Sequence, residues 1–182
     1  MNLNEEIFSL FEGHWQIKEY PSGEFLSHIG DPVTDVYFVK SGMLRVGVGH
    51  TGGRFYNKTF VKEGMFYVNL YDFWLGRNSH YEIQCLEDSK VYVMPAETMD
   101  RKLISDDFVA LKLQIAYLRQ RYFRHEQREL LLQTMSAKER YIEFLKDYED
   151  YEQRIPAYHI ASYLGMTEIS LSRIKKEISS NS

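Results

Sequence analysis

The sequence has 182 residues, of which 44% are hydrophobic and 15% aromatic, and this is enough to bury a core in one mid-sized domain or two small ones. A single cysteine, Cys85, excludes an internal disulfide framework and an iron–sulfur cluster held by several cysteines of one chain. The N-terminus is acidic and no apolar run approaches the ~18 residues that span a bilayer, so we expect a cytoplasmic protein with no membrane partner. A net charge of −4 gives no overall attraction to nucleic acid, so a contact with DNA requires a local basic patch.

The first half of the sequence, from about residue 15 to residue 95, is typical of antiparallel β structure. Short segments rich in Tyr, Phe and Val alternate with Gly, Asp and Asn. Segments 35–39 and 43–48 flank Gly42, which can adopt the positive φ of a tight turn, so they are predicted to form a β-hairpin. Segments 81–86 and 90–94 are predicted to form a second one. Together they favour a β-sandwich or a jelly roll.

A long helix is predicted after Pro95, beginning near Ser105 or Asp106, because apolar residues then recur at helical spacing. Steps of three and four residues place one apolar stripe along this helix, formed by Phe108, Leu111, Ile115, Leu118 and Tyr122. The stripe could be the seam of a two-chain coiled coil, or it could pack against the β domain of its own chain. Both interpretations stay open at this point.

Two further helical signals follow. Ser136 and Glu139 match a capping box, which predicts that a new helix begins there. Residues 157–176 then match the pattern of a helix-turn-helix, with small Ala161 where two helices approach and Gly165 where the chain turns. Five more positions carry the apolar residues that such a pair buries: Ile160, Leu164, Met166, Leu171 and Ile174. The alternative is an ordinary helical hairpin.

In a helix-turn-helix the second helix enters the major groove of DNA. Pro156 suits the first turn of the leading helix and Thr167 can cap the second one. Arg173 could pair with guanine and Glu168 could accept from cytosine, while Thr167, Ser170 and Lys176 could hold phosphates. The candidate DNA-binding residues are Thr167, Glu168, Ile169, Ser170, Ser172, Arg173 and Lys176. From Arg154 onward, four Lys and Arg face two Glu, a modest basic patch; the alternative is a solvated helix face.

The order of these parts resembles the Crp/Fnr family of transcription regulators. The resemblance covers nearly the whole chain and rests on Gly30-Asp31, segment 36–42, Glu63-Gly64 and segment 154–174. It implies an α+β fold, with a jelly-roll β-roll sensor domain (1–104), a dimerisation helix (105–133) and a helix-turn-helix domain (134–182). It also implies a homodimer that binds a palindromic operator in double-stranded DNA, contacts RNA polymerase if it is an activator, and needs no cofactor.

The effector site departs from that family. Cyclic-nucleotide binders carry a Glu for the ribose and an Arg for the phosphate, and our alignment places Asn69 and Ser79 there, with Arg77 two residues away. A phosphodiester then loses its strongest charge-assisted contact, so cyclic AMP is not the expected effector. Candidate lining for an unknown small-molecule effector is Tyr67, Asn69, Ser79, Tyr81, Arg121 and His125. The alternative is that the aromatic residues are simply core.

Two other features bear on function. The sequence ends six residues after Lys176, so we expect the β-hairpin wing that often follows this motif to be short or missing. Six histidines are scattered without the spacing of a metal site, and no Gly-x-Ser-x-Gly elbow is present, so we expect neither a metal site nor an enzyme. These histidines are His14, His28, His50, His80, His125 and His159. The remaining alternative is a ligand-sensing or protein-interaction module without DNA binding.

Overall fold

The computed structural model describes residues 2–49, 55–103 and 107–180. The strands in these ranges are β1 Gln16–Tyr20, β2 Phe25–Ser27, β3 Asp35–Ser41, β4 Leu44–Gly49, β5 Phe55–Val61, β6 Phe66–Tyr67, β7 Glu82–Cys85 and β8 Ser89–Pro95. The α-helices are α1 Leu3–Leu10, α2 Leu70–Trp74, α3 Ala96–Leu103, α4 Phe108–Thr134, α5 Ala137–Tyr148, α6 Ala157–Leu164 and α7 Glu168–Ser179, and a 3-10 helix covers Glu149–Arg154. The predicted helix start at Ser105 or Asp106, the boundary between 104 and 105, and His50 lie outside the described residues.

The strands form two four-stranded antiparallel sheets, in the orders β1-β8-β3-β6 and β2-β7-β4-β5. Val39, Leu44, Val46 and Val91 are fully buried between the two sheets. Apolar side chains at alternate positions of both sheets therefore close one core, which is the packing of a jelly roll. The predicted fold class, a β roll followed by a long helix and C-terminal helices, is confirmed.

Both predicted hairpins are wrong. Strand β3 pairs with β6 and β8, whereas β4 pairs with β5 and β7 in the other sheet. The second predicted pair is likewise split, because β7 pairs with β2 and β4, and β8 pairs with β1 and β3. Gly42 has a φ of +93°, and a Cβ on it would clash with Ser89. The tight turn is present, but it carries the chain from one sheet to the other. Strands in facing sheets show the same alternation of apolar and polar residues as the strands of a hairpin, so the pattern did not separate the two.

Two helices that the sequence did not reveal cover the outside of the first sheet. In α1, the Asn2 side chain accepts from the Glu5 N–H and the Glu5 side chain accepts from the Asn2 N–H, which is a capping box. Together with α3, this helix buries Phe11, Val36 and Met94. The layer fills the space between the β roll and α4.

The long helix α4 begins at Phe108, one residue after its N-cap, Asp107, whose carboxylate accepts from two backbone N–H groups. The predicted capping box at the next helix is confirmed, since the Ser136 hydroxyl accepts from the Glu139 N–H and the Glu139 carboxylate accepts in return. Among the described helices, none combines the length and the apolar character that crossing a membrane requires. Within the same residues, no group of three or more His, Cys, Asp or Glu is placed to hold a metal ion.

Candidate nucleic-acid interface and effector pocket

The turn between α6 and α7 depends on Gly165. This residue has a φ of +64°, in the left-handed region that favours glycine. The Met166 N–H donates to the Ala161 carbonyl at 3.0 Å and the Gly165 N–H to the Ser162 carbonyl at 3.3 Å, which satisfies the last carbonyls of α6. A Cβ on Gly165 would also lie 3.4 Å from Leu132 Cδ2 of α4. The glycine is therefore required by the backbone geometry of the corner.

The two helices bury the residues that the spacing predicts. Ile160, Leu164 and Leu171 are no more than 1% exposed, Ala161 and Ile174 are also buried, and Met166 is half-buried. Tyr141, Phe144 and Tyr148 of α5 complete this core. Pro156 is the N-cap of α6, one position before the first turn in which the sequence placed it.

Helix α7 presents its predicted recognition face to solvent. The Thr167 hydroxyl caps it by accepting from the Ser170 N–H at 3.1 Å. Six of the seven candidate DNA-binding residues are exposed, whereas Ser170 is half-buried and its hydroxyl lies 2.9 Å from that of Thr167. Ile169 is 67% exposed, more than any other large apolar side chain in the described part of the chain. This face of α7 is therefore open to contact with a binding partner.

The charge of this surface is smaller than the sequence count indicated. Arg154 is turned away from it, with its Nη2 2.6 Å from the Glu63 carboxylate of the β roll and also in contact with Glu87. Lys175 pairs with Glu152. Among the described residues, Arg173 and Lys176 are the exposed cations of α7 without an ion-pair partner, so they carry the local positive charge.

Helix α4 uses one face for its own domain and leaves the apolar stripe on another. Ala110 is buried, and Tyr117 and Leu118 pack against the core cluster that includes Val36 and Met94 of the first sheet. On the stripe, Leu118 is half-buried, and the other four residues are between 44% and 66% exposed: Phe108, Leu111, Ile115 and Tyr122. Packing against its own β roll therefore leaves most of the stripe without cover.

The helix-turn-helix is held against β5 by a buried polar seam. The Asn57 side-chain amide donates to the His159 carbonyl at 3.1 Å and lies 3.0 Å from His159 Nδ1, and the Asn57 N–H donates to the Ser162 hydroxyl. The Ser162 hydroxyl in turn donates to the Phe55 carbonyl. Burial lowers the pKa of His159 to about 4, and the nearby Arg45 cation adds to this shift. The imidazole is consequently neutral, with Nδ1 free to accept.

Asn69 and Ser79, which align with the missing nucleotide ligands, are buried and satisfied by their neighbours. The Asn69 amide donates to Asp72 at 2.6 Å and to the Ser79 hydroxyl at 3.1 Å, and that hydroxyl donates to the Tyr81 carbonyl at 2.7 Å. Burial acts to raise the pKa of Asp72, but hydrogen bonds from the His80 backbone, Asn69 and the His80 ring hold it below its usual range. A cavity of about 20 Å³ beside Asn69 and Ser79 has room for about one water molecule.

Next to this network, two cations and three tyrosines lie between the β roll and α4: Lys58, Arg121, Tyr67, Tyr81 and Tyr117. Arg121 Nη1 donates to the Val68 carbonyl and to the Tyr117 hydroxyl, both at 3.2 Å. The Tyr67 hydroxyl is buried and has no hydrogen-bond partner in the described chain. The Tyr67 pKa is raised by burial, and nearby Arg121 partly opposes this. Of the predicted lining, His125 is exposed to solvent.

Sequence reasoning missed Lys58 at this place. Its amine lies 3.7 Å from the centroid of the Tyr81 ring. Burial lowers the pKa of Lys58 to about 8, with a further contribution from the Arg121 cation. Val46 pairs with Thr59 and Gly47 with Asn57, so Lys58 is the extra residue of a β-bulge, a feature that turns a side chain away from regular alternation. The local sequence gives no clear signal for such a bulge.

Comparison with known proteins agrees with this architecture. Residues 17–106 match the family model described as the cyclic nucleotide-binding domain. FixK2 from Bradyrhizobium japonicum is 21% identical, with a TM-score of 0.80, over 92% of this chain and 85% of that one. A putative regulator of the Crp/Fnr family from Eubacterium rectale is 16% identical, with a TM-score of 0.71, over 95% and 82%.

A third similar structure is the c-di-GMP-responsive global regulator CLP of Xanthomonas campestris, 15% identical, with a TM-score of 0.72, over 98% of this chain and 91% of that one. The search of curated proteins finds no match. At sequence identities this low, the structural similarity shows a shared fold alone.

Proposed function

Because residues 17–106 match the model of the cyclic nucleotide-binding domain and the chain shares its fold with Crp/Fnr regulators, we propose that the protein is a DNA-binding transcription regulator. The observation that carries this proposal is the exposed face of α7. Gly165 sets the corner and Thr167 caps the helix, and the opposite side of α7 is anchored by buried Leu171 and Ile174. A rigid helix with one open face is what reading of a major groove requires.

In this proposal the contacts divide by position along α7. Arg173 pairs with a guanine, Glu168 accepts from a cytosine, and Ile169 and Ser172 lie against base edges. Thr167, Ser170 and Lys176 hold backbone phosphates. With few cations on this surface, we expect phosphate contacts to be few and the salt dependence of binding to be shallow.

We further propose that the protein acts as a homodimer on a palindromic site. The exposed apolar stripe on α4 supports this, because a second copy would remove the stripe from water. Such a dimer has two-fold symmetry, so it places two α7 helices on two half-sites.

We propose that any effector of this protein is a molecule other than cyclic AMP. Asn69 and Ser79 stand where nucleotide binders carry a carboxylate and a guanidinium, and both are engaged in internal hydrogen bonds. The small cavity beside them supports the same conclusion. Neither ribose nor phosphodiester finds its usual charged partner there.

A binding selection from random duplex DNA at stated salt tests the regulator function. We expect enrichment of two inverted half-sites whose centres are one helical turn, or a multiple of it, apart. Arg173→Ala should weaken binding to the enriched site about 5- to 150-fold, corresponding to about 1–3 kcal/mol, and should relax the preference at one base position in each half-site.

The matched control is Arg101→Ala, which removes the same charge from an exposed position on α3. This variant should keep both affinity and base preference. Uniform weakening of all sequences by Arg173→Ala would make Arg173 a phosphate contact. No enrichment at any salt concentration, with or without added cell extract, would contradict DNA binding and favour a ligand-sensing or protein-interaction module.

A further inference from the structure

Two cations lie in the region between the β roll and α4, one over the Tyr81 ring and the other bonded to the Val68 carbonyl. Lys58 reaches it from the bulge of β5 and Arg121 from α4, and both side chains are half-buried. Neither forms an ion pair with a carboxylate in the part of the chain that the structure describes. Burial and the Arg121 cation both lower the pKa of Lys58, so the charged form of this lysine is disfavoured as it stands.

Asp72, the carboxylate that acts on Lys58, is already engaged. Its Oδ2 accepts hydrogen bonds from the His80 N–H at 2.9 Å and from the Asn69 amide at 2.6 Å, and its Oδ1 lies 2.7 Å from His80 Nδ1. Lys58 instead lies over the Tyr81 ring. The local charge therefore remains positive.

Polar groups at the same place are left for a ligand. Arg121 bonds to described residues through Nη1, and its Nε and Nη2 form no hydrogen bond with them. The hydroxyl of Tyr67, a residue only 3% exposed, also lacks a partner. A buried donor without an acceptor is destabilising unless something else completes it.

We propose that Lys58, Arg121 and Tyr67 form a binding site for the phosphate or carboxylate group of a small anionic effector. Such a group would accept charge-assisted hydrogen bonds from both cations and a hydrogen bond from the Tyr67 hydroxyl. The cations come from β5 and α4 and lie next to the network of Asn69 and Ser79, because Lys58 lies over the ring of Tyr81, whose carbonyl accepts from the Ser79 hydroxyl. The inference deepens the proposed regulatory function by giving the chemical class of the effector, and its test needs no DNA.

Thermal unfolding of the full chain at pH 7 tests the site, with inorganic phosphate and succinate as separate probes and sodium chloride at matched ionic strength as the reference. A ligand that binds only the folded protein raises the Tm. We expect a saturable rise with at least one probe, by about 3–6 °C at a concentration ten times its Kd. No rise, or only a rise that does not saturate, with either probe up to about 50 mM would overturn the proposal, because phosphate also stabilises folded proteins non-specifically.

Lys58→Met keeps the apolar stem and removes the charge. It should abolish the anion-dependent rise and, in chloride alone, should raise the Tm because one of two repelling cations is gone. The matched control is Lys40→Met, since Lys40 is an exposed lysine beside another tyrosine ring, that of Tyr92. This control should keep the rise. A rise in Lys58→Met equal to that of the wild type would refute the site.

Tyr67→Phe provides an independent variant that preserves the ring packing. It should weaken the binding of the effective probe about tenfold while leaving the Tm in chloride unchanged or higher, since the lost hydroxyl had no partner. Unchanged probe affinity would remove Tyr67 from the site. If the selected palindrome is bound but the Tm does not respond to anions, this inference fails and the proposed function stands. If the Tm responds saturably to an anion but no DNA sequence is selected, the anion site stands and the proposed DNA binding fails.

Discussion

The buried histidine at the seam between the helix-turn-helix and the β roll makes the stability of the protein depend on pH. His159 is only 7% exposed, and burial, assisted by Arg45, lowers its pKa to about 4. In the unfolded chain its pKa is about 6.5. Because the folded state binds fewer protons between these values, its stability is full above pH 6.5 and decreases as the pH falls toward 4.

The size of the effect follows from the two pKa values. At pH 5 the unfolded imidazole is almost fully protonated and the folded one almost fully neutral. One pKa unit corresponds to about 1.4 kcal/mol, and pH 5 lies 1.5 units below the unfolded value. We therefore expect His159 to lower the free energy of unfolding by about 2 kcal/mol between pH 8 and pH 5.

Urea unfolding of the wild type and of His159→Gln at pH 8 and pH 5 measures this contribution. The variant cannot take up the proton, so its loss of stability between the two pH values should be smaller by about 2 kcal/mol. Carboxylates such as Asp72 titrate in both proteins and cancel in the comparison. His125→Gln, at an exposed position, should behave as the wild type does. Equal losses in the wild type and His159→Gln would refute the assignment of a neutral, buried imidazole at the seam.

Three further substitutions test the corner, the stripe and the ion pair. Gly165→Ala should lower the free energy of unfolding by about 1–2 kcal/mol in urea, since alanine is disfavoured at this positive φ. Ile115→Glu should shift the protein to a monomer in sedimentation equilibrium with an unchanged circular dichroism spectrum, because the charge falls on the exposed stripe. Arg154→Met should lower stability by about 0.5–1 kcal/mol at low salt and by less in 0.5 M salt, because its pairs with Glu63 and Glu87 are partly exposed.

The C-terminal helices could be predicted because their signals are local. Gly165 and Ala161 lie within one motif, and the capping box of Ser136 spans four residues. Strand pairing could not be predicted in the same way. The residues around Gly42 specify a tight turn, but the partner of each strand is set by residues far away in the sequence. Both sheets bury apolar side chains at alternate positions, so the pattern alone does not separate a hairpin from a crossing between sheets.

The candidate sites show the same limit. The exposed residues of α7 follow from helical periodicity once the motif is recognised. Lys58 could not be found, because its place depends on a bulge in β5 and on Arg121, which comes from a distant helix. The count of basic residues from Arg154 onward was misleading for a similar reason. Arg154 pairs with Glu63 and Glu87, which belong to the β roll and lie far from it in the sequence.

Strand β5 connects the two sites that we propose. Asn57 contacts His159 on the side of the helix-turn-helix, and the bulge turns its neighbour, Lys58, toward the anion site. Helix α4 makes a parallel link, since Arg121 belongs to the anion site and Arg128 donates to the Tyr163 carbonyl of α6 at 2.8 Å. An anion that binds both Lys58 and Arg121 would therefore act on β5 and on α4, the two elements that contact the helix-turn-helix. Any resulting coupling is reciprocal, so the factor by which phosphate changes DNA affinity must equal the factor by which DNA changes phosphate affinity.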